Sequence, residues 1–238
     1  MATVGVEPCF ALNAASFAVM IGALVRMDGD ELRPAALAPR QAGAVRAGLR
    51  CVRATPQLWI PLGLMAIVGT LGFNFQAILP LLARFSFEGG ASAYAALVSA
   101  MGIGAVVGAL TNGARGRVTP ALLVGTAIGF GALALLAAGA PSIGLELLAL
   151  APLGAASVIL AASVNSALQL ASEPAMRGRV MALYSVVFLG TTPIGAPLAG
   201  WLSEQLDPRA ALVMAGVAAL VAGVLARLAF ERVGAASI

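Results

Sequence analysis

Residues 120–140 read PALLVGTAIGFGALALLAAGA, 21 positions without a charged side chain and with a single hydroxyl, Thr126, at depth. A helix needs about 20 mostly apolar residues to cross the hydrocarbon core of a bilayer, and this stretch supplies them. A membrane β-strand would alternate apolar and polar positions. Here the run is continuous and rich in Ala, Leu and Gly. The same texture recurs on both sides, over residues 9–26, 58–83, 92–113, 143–170, 180–203 and 209–230, so seven spans are expected in all. Their connections are short except for the one from Met27 to Gln57.

Composition agrees. Of 238 residues, 61% are apolar and only 10% charged, with a mean hydropathy of +0.98. Soluble domains carry roughly 25% charged residues, so this chain cannot wet a globular surface. The expected fold is all-α, a polytopic membrane helical bundle. There is no His, which removes a catalytic imidazole and a His-ligated metal. Cys9 and Cys51 lie far apart and form no metal or redox pair. No enzyme activity, metal or cofactor is therefore expected. The net charge of +4 comes from 14 arginines that sit between apolar runs, which marks membrane orientation rather than a nucleic-acid groove.

Counting those arginines sets the topology. Arg26, Arg33, Arg40, Arg46, Arg50, Arg53, Arg115, Arg117, Arg177, Arg179, Arg227 and Arg232 fall on one side, Arg84 and Arg209 on the other. The crowded side should be cytoplasmic. With seven spans this puts the N-terminus outside and the C-terminus in the cytoplasm of a plasma-membrane protein. Residues Met1–Pro8 lack the basic region of a secretory signal. A translocated tail, or a fragment whose earlier spans are missing, would both account for that.

Within the long connection, Gln41–Thr55 places Val45, Leu49 and Val52 on one helical face and Arg46, Arg50 and Arg53 on another. Such a helix should lie flat on the inner membrane surface with its arginines toward anionic headgroups.

Polar side chains inside a bilayer need partners or water, so their distribution is informative. The fourth and seventh spans are nearly featureless and should face lipid. The second carries Thr70 and Asn74 on one face and Gln76 on another; the fifth carries Ser163, Asn165, Ser166 and Gln169; the sixth carries Tyr184, Ser185, Thr191 and Thr192. Ser and Thr should bond back to their own helices. Asn74, Gln76, Asn165, Gln169, Tyr184, Thr191 and Thr192 are the expected lining of a wet interior. Helix breakers fall in the same spans: Gly190-Thr-Thr-Pro-Ile-Gly-Ala-Pro197 in the sixth, Pro152 and Gly154 in the fifth, and Pro80 toward the end of the second. Gly104/Gly108 in the third span and Gly125/Gly129 in the fourth match the small-xxx-small pattern of close helix contacts. Glu146, about one turn into the fifth span, reads as an interfacial residue; the other reading is a proton-coupling acid.

Several strings resemble a known family. Ala47-Gly-Leu-Arg-Cys-Val-Arg-Ala-Thr-Pro-Gln-Leu58 is similar to the central loop of major facilitator transporters. The branch it resembles most is that of enterobactin-exporter-like proteins, or transmembrane secretion effectors. Gly72-Phe-Asn-Phe-Gln-Ala-Ile-Leu-Pro80, Glu173-Pro-Ala-Met-Arg-Gly-Arg-Val-Met-Ala-Leu-Tyr-Ser185 and Leu189-Gly-Thr-Thr-Pro-Ile-Gly-Ala-Pro197 fit the same branch, and Leu12-Asn-Ala-Ala-Ser-Phe17 resembles the end of its first half. The resemblance implies residues 1–27 as the last span of an N-terminal bundle, 28–57 as the central loop with its amphipathic helix, and 58–238 as the C-terminal six-helix bundle. It places the fourth and seventh spans on the lipid side. It also assigns Arg115, Arg117, Arg177 and Arg179 to gating loops, although Asn112 stands where the family's loop usually carries Asp.

The function so implied is export of a small amphiphilic solute (a siderophore, drug or metabolite) by proton-coupled alternating access. The partners are that solute, the lipid bilayer and the missing N-terminal bundle. The alternative is a truncated, non-transporting fragment, or an assembly subunit that needs a partner bundle.

Overall fold

A computed structural model describes residues 7–27, 44–115, 118–190 and 192–236. It divides into two compact units, Met1–Arg40 and Gln41–Ile238. The described residues of the first form one helix, α1 (Glu7–Val25), whose apolar stretch Phe10–Val25 is too short to count among the candidate spans. Of the residues between spans, 28–43 lie outside the described ones.

The second unit holds α2 (Ala44–Ala54), α3 (Pro56–Leu71), α4 (Phe75–Leu81) with a π-helical turn at Leu82–Ser86, α5 (Ala91–Arg115), α6 (Pro120–Ala138), α7 (Ile143–Ala171), α8 (Pro174–Gly190), α9 (Thr192–Gln205) and α10 (Pro208–Ala236). No strand occurs among the described residues. Among the described residues six stretches, rather than the seven expected, are long and apolar enough to cross a membrane: Pro56–Ser86, Ala91–Ala114, Pro120–Ala138, Ile143–Ala171, Pro174–Gln205 and Pro208–Gly234. The chain is thus a multi-pass membrane helical bundle. Helices prevail because a backbone in lipid must satisfy its own N–H and C=O groups. Local signals start them: Thr119 accepts from the Leu122 amide at 3.2 Å ahead of Pro120, and Ser142 accepts from Leu145.

The core is built by α3, α4, α6, α7 and α10, with Met65, Val68, Ile78, Phe130, Leu150, Leu160 and Leu212 fully buried. Glycine sets the closest approaches. On α5, Gly104 and Gly108 lie against Ala151 and Ala155 of α7, and a Cβ on Gly108 would sit 2.7 Å from the Ala155 Cα. The α6–α10 contact uses other glycines than the spacing suggested. Nothing lies near Gly125 or Gly129, whereas a Cβ on Gly131 would meet the Gly216 carbonyl of α10 at 2.8 Å. Small-xxx-small spacing marks a helix face able to approach closely, but the partner helix decides which face is used.

The second span also departs from the reading of one continuous helix ending near Pro80. Pro80 lies inside α4, and the break falls at Gly72–Asn74. There the Gly72 and Phe73 amides both turn back to the Val68 carbonyl. The sixth span is described as α8 and α9, with residue 191 between them outside the described residues. Pro152, in contrast, is accommodated within an unbroken α7.

Candidate functional site

At its break, the second span meets α9 of the sixth. Asn74 follows the last turn of α3, donates from Nδ2 to the Thr70 carbonyl at 2.7 Å, and is 3% exposed. Its Oδ1 is buried with no hydrogen-bond partner. Opposite it stands Gly195 of α9. A Cβ there would come within 2.7 Å of Asn74 Nδ2 and 2.9 Å of Oδ1, and would collide with the Thr70 carbonyl. The crossing therefore exists only because residue 195 has no side chain. Asn74 belongs to this buried crossing and does not face an open surface of the bundle.

Aromatic rings enclose the crossing. Phe73 packs edge-on against Phe130 (5.3 Å between centroids) and Phe188 (6.1 Å), Phe75 against Phe130 (6.1 Å), and Tyr184 stacks on Phe188 at 5.6 Å. The phenylalanines either side of Asn74 carried the signal for this cluster, since Gly-Phe-Asn-Phe places bulky rings around a polar group at a break.

Gln76 points elsewhere. It is exposed and lines an open groove of about 610 Å³ between α4 and α5, with Phe75, Leu79, Tyr94, Val98 and Met101. The walls are apolar apart from the Gln76 amide and the Tyr94 phenol.

A second polar seam joins α7 to α8. Gln169, exposed, donates to Asn165 Oδ1, and Asn165 in turn meets the hydroxyl of Tyr184. The same hydroxyl donates to the Ala161 carbonyl at 3.4 Å. Arg177 Nε donates to the Gln169 carbonyl at 3.1 Å, one turn from the C-terminus of α7. A cation there also complements the negative end of the helix dipole. Arg179 is half-buried, with Nη1 3.4 Å from Met176 Sδ, and faces α2. Thr192 is exposed at the start of α9. Thr191, Arg117 and the side chain of Arg115 lie outside the described residues.

Several hydroxyls bond back to their own helices, as with Thr70 to Ala66, Thr126 to Leu122, and Ser203 to Ala199, whereas the buried Ser86 Oγ has no partner. Ser163 reaches another helix. It is fully buried and donates across to Asn112 Oδ1 of α5 at 3.4 Å.

The Glu146 side chain is completely enclosed by its neighbours, and neither carboxylate oxygen has a hydrogen-bond partner. It is the one buried carboxyl among the described residues. Arg209 of α10 is the charge that acts on it, and its guanidinium sits over the Phe87 ring at 5.7 Å. Sequence position alone missed this because one turn of depth says nothing about which neighbours close over the side chain. No cluster of His, Cys, Asp or Glu among the described residues could hold a metal ion.

Comparison with known proteins fits this architecture. The profile of a family described as transmembrane secretion effector matches residues 1–236. The crystal structure of a variant of the E. coli fucose:proton symporter shares the fold, with a TM-score of 0.63 over 94% of this chain at 19% identity. The match covers 55% of the symporter, so the chain spans about half the length of that protein. No curated protein matches the sequence.

Proposed function

The chain belongs to the transmembrane secretion effector family of the major facilitator superfamily, and from that premise we propose that it forms one six-helix half of a solute exporter. The observation that carries this reading is the crossing at Gly195. The second span, broken at Gly72–Asn74, meets α9 at a glycine, which lets α9 pivot against α3 while the α5–α7 and α6–α10 contacts stay locked. Alternating access needs such a joint.

The solute face is read from the polar groups left open. Gln76 and Tyr94 in the α4–α5 groove, Asn165 and Gln169 on α7, and Thr192 on α9 offer amides and hydroxyls amid apolar walls. Sparse polar groups on an apolar surface suit a small amphiphilic molecule such as a siderophore, drug or metabolite. A second bundle, of the kind the longer symporter possesses, would close this face. The arginine-rich end lies in the cytoplasm of the plasma membrane, leaving the N-terminus outside and the C-terminus inside. At that end Arg177, tied to the last turn of α7, latches α8; Arg115, Arg117 and Arg179 share its side of the membrane. Proton coupling is supported by Glu146, an acid enclosed with both oxygens unpartnered toward the opposite end.

Single-cysteine accessibility in the full chain tests the reading. Cysteines at Gln76, Asn165 and Thr192 should label from water and be protected by a transported amphiphilic dye, while cysteines at Val217 and Val221 on the outer stripe of α10 should not. Equal labelling at all five overturns it. Glu146→Gln should keep the fold and abolish the dependence of efflux on a pH gradient.

A further inference from the structure

Helix α2 takes no part in the pathway above, yet it is the most sharply divided element of the molecule. On one side it is docked: Val52 is 3% exposed, and Gly48 lies against α8, where an added Cβ would be 3.3 Å from the Arg179 Cβ and 3.5 Å from Leu183. The seam is therefore made by Gly48 and Val52, flanked by the half-buried Cys51. It does not use the whole Val45–Leu49–Val52 stripe. Val45 remains 72% exposed and Leu49 39%. At about 100° per residue, the order around the helix is docked seam, then Val45 and Leu49, then Arg53, Arg46 and Arg50.

The arginines are all exposed, and none makes a hydrogen bond or ion pair with the described residues. The helix contains no acidic residue to neutralise them. Its depth is fixed by the chain itself, because only Thr55 separates Ala54 from Pro56, where the first apolar span of the bundle begins. A helix held at that level by α8, with an apolar strip beside the protein and a cationic row beyond it, matches the layering of acyl boundary and headgroup.

We propose that α2 is a binding site for anionic phospholipid: Val45 and Leu49 sit at the acyl boundary, and Arg46, Arg50 and Arg53 hold the headgroup phosphates. The site couples the lipid surface to α8 through Gly48 and Arg179. It is independent of what the bundle transports. Each basic side chain at an anionic surface strengthens binding by about fivefold, so losing three weakens it about a hundredfold.

The test uses the purified full chain in neutral detergent, with phosphatidylglycerol titrated in and binding read by native mass spectrometry. The triple variant R46Q/R50Q/R53Q should bind phosphatidylglycerol about a hundredfold more weakly, with phosphatidylcholine binding unchanged and R46K/R50K/R53K close to wild type. A second measurement does not depend on those variants folding. A polarity-sensitive fluorophore on V45C, in a C9S/C51S background, should report a drier environment in phosphatidylglycerol nanodiscs than in phosphatidylcholine ones. Wild-type affinity in the glutamine variant overturns the proposal, as does a label that stays equally wet in both bilayers, which would assign the face to a soluble partner. Displacement of the lipid by millimolar inorganic phosphate would also overturn it, showing a site for the free anion.

Discussion

The pair α6 and α10 and the pair formed by α3–α4 with α8–α9 solve the same packing problem in opposite ways. In the first, two unbroken apolar helices lock through Gly131 and Gly216, which sit against each other's backbone, and through Gly223 against Ile128. Their polar side chains are Thr126 on α6 and, at the two ends of α10, Arg209 and the group Arg227, Glu231 and Arg232. In the second, the α3–α4 span is broken at Gly72–Asn74, Gly195 meets both the Thr70 carbonyl and the Asn74 side chain, and one buried amide oxygen is left without a partner. Close contact alone therefore does not mark function. We read a glycine packed between two unbroken helices as a fixed joint, and a glycine packed beside a helix break as one that can move.

The sharpest way to break this contrast is to fill both joints. Gly195→Leu should abolish transport, because the new side chain forces α9 off the Thr70 carbonyl and Asn74, and efflux of a fluorescent dye from vesicles would show it. The bundle should still be recovered in detergent. Gly131→Val should instead act on stability, with a loss of about 1–3 kcal/mol from overpacking, measured by unfolding in mixed micelles. Its counterpart Gly125→Val, in open space, should stay within about 0.5 kcal/mol of wild type. If the two valines are equally harmful, the α6–α10 joint has been assigned to the wrong glycines. Asn74→Leu comes next. It removes the bond to the Thr70 carbonyl, worth about 1 kcal/mol, but also removes the orphaned Oδ1, so stability should change little while efflux falls.

These joints also show what a sequence reader can and cannot see. The spans at 92–113, 120–140 and 143–170 were legible within a few residues, because a continuous apolar run of that length has one stable arrangement in lipid. Gly104 and Gly108 were legible as well. Gly125 and Gly129 share the same spacing and touch nothing, since spacing defines a face and leaves its partner open. The break at Gly72–Asn74 was hidden because Pro80 was the stronger local signal, yet Pro80 is absorbed into α4 ahead of a π-helical turn. Among the site residues, Gln76, Asn165 and Gln169 reach open faces of the bundle, whereas Asn74 and Tyr184 are buried, and amino-acid type at a given depth is identical in the two cases. Glu146 is the plainest example of a property set by neighbours rather than by position.

The smallest expected effect tests a contact inside the block taken as fixed. Ser163 and Asn112 form a hydrogen bond between described side chains of α5 and α7, at 3.4 Å, beside the backbone contacts of Gly104 and Gly108. Hydrogen bonds between membrane helices contribute about 0.6 kcal/mol on average, because the separated helices also find partners. Ser163→Ala, Asn112→Ala and the double variant should therefore give a coupling energy of about 0.6 kcal/mol in a double-mutant cycle. Transport should be unchanged if α5 and α7 move as one block. A coupling near zero would assign the α5–α7 contact to its glycines alone. Selective loss of transport in Asn112→Ala, with the coupling intact, would show that α5 slides on α7 during the cycle and would move the boundary between the rigid and mobile parts of the bundle to this contact.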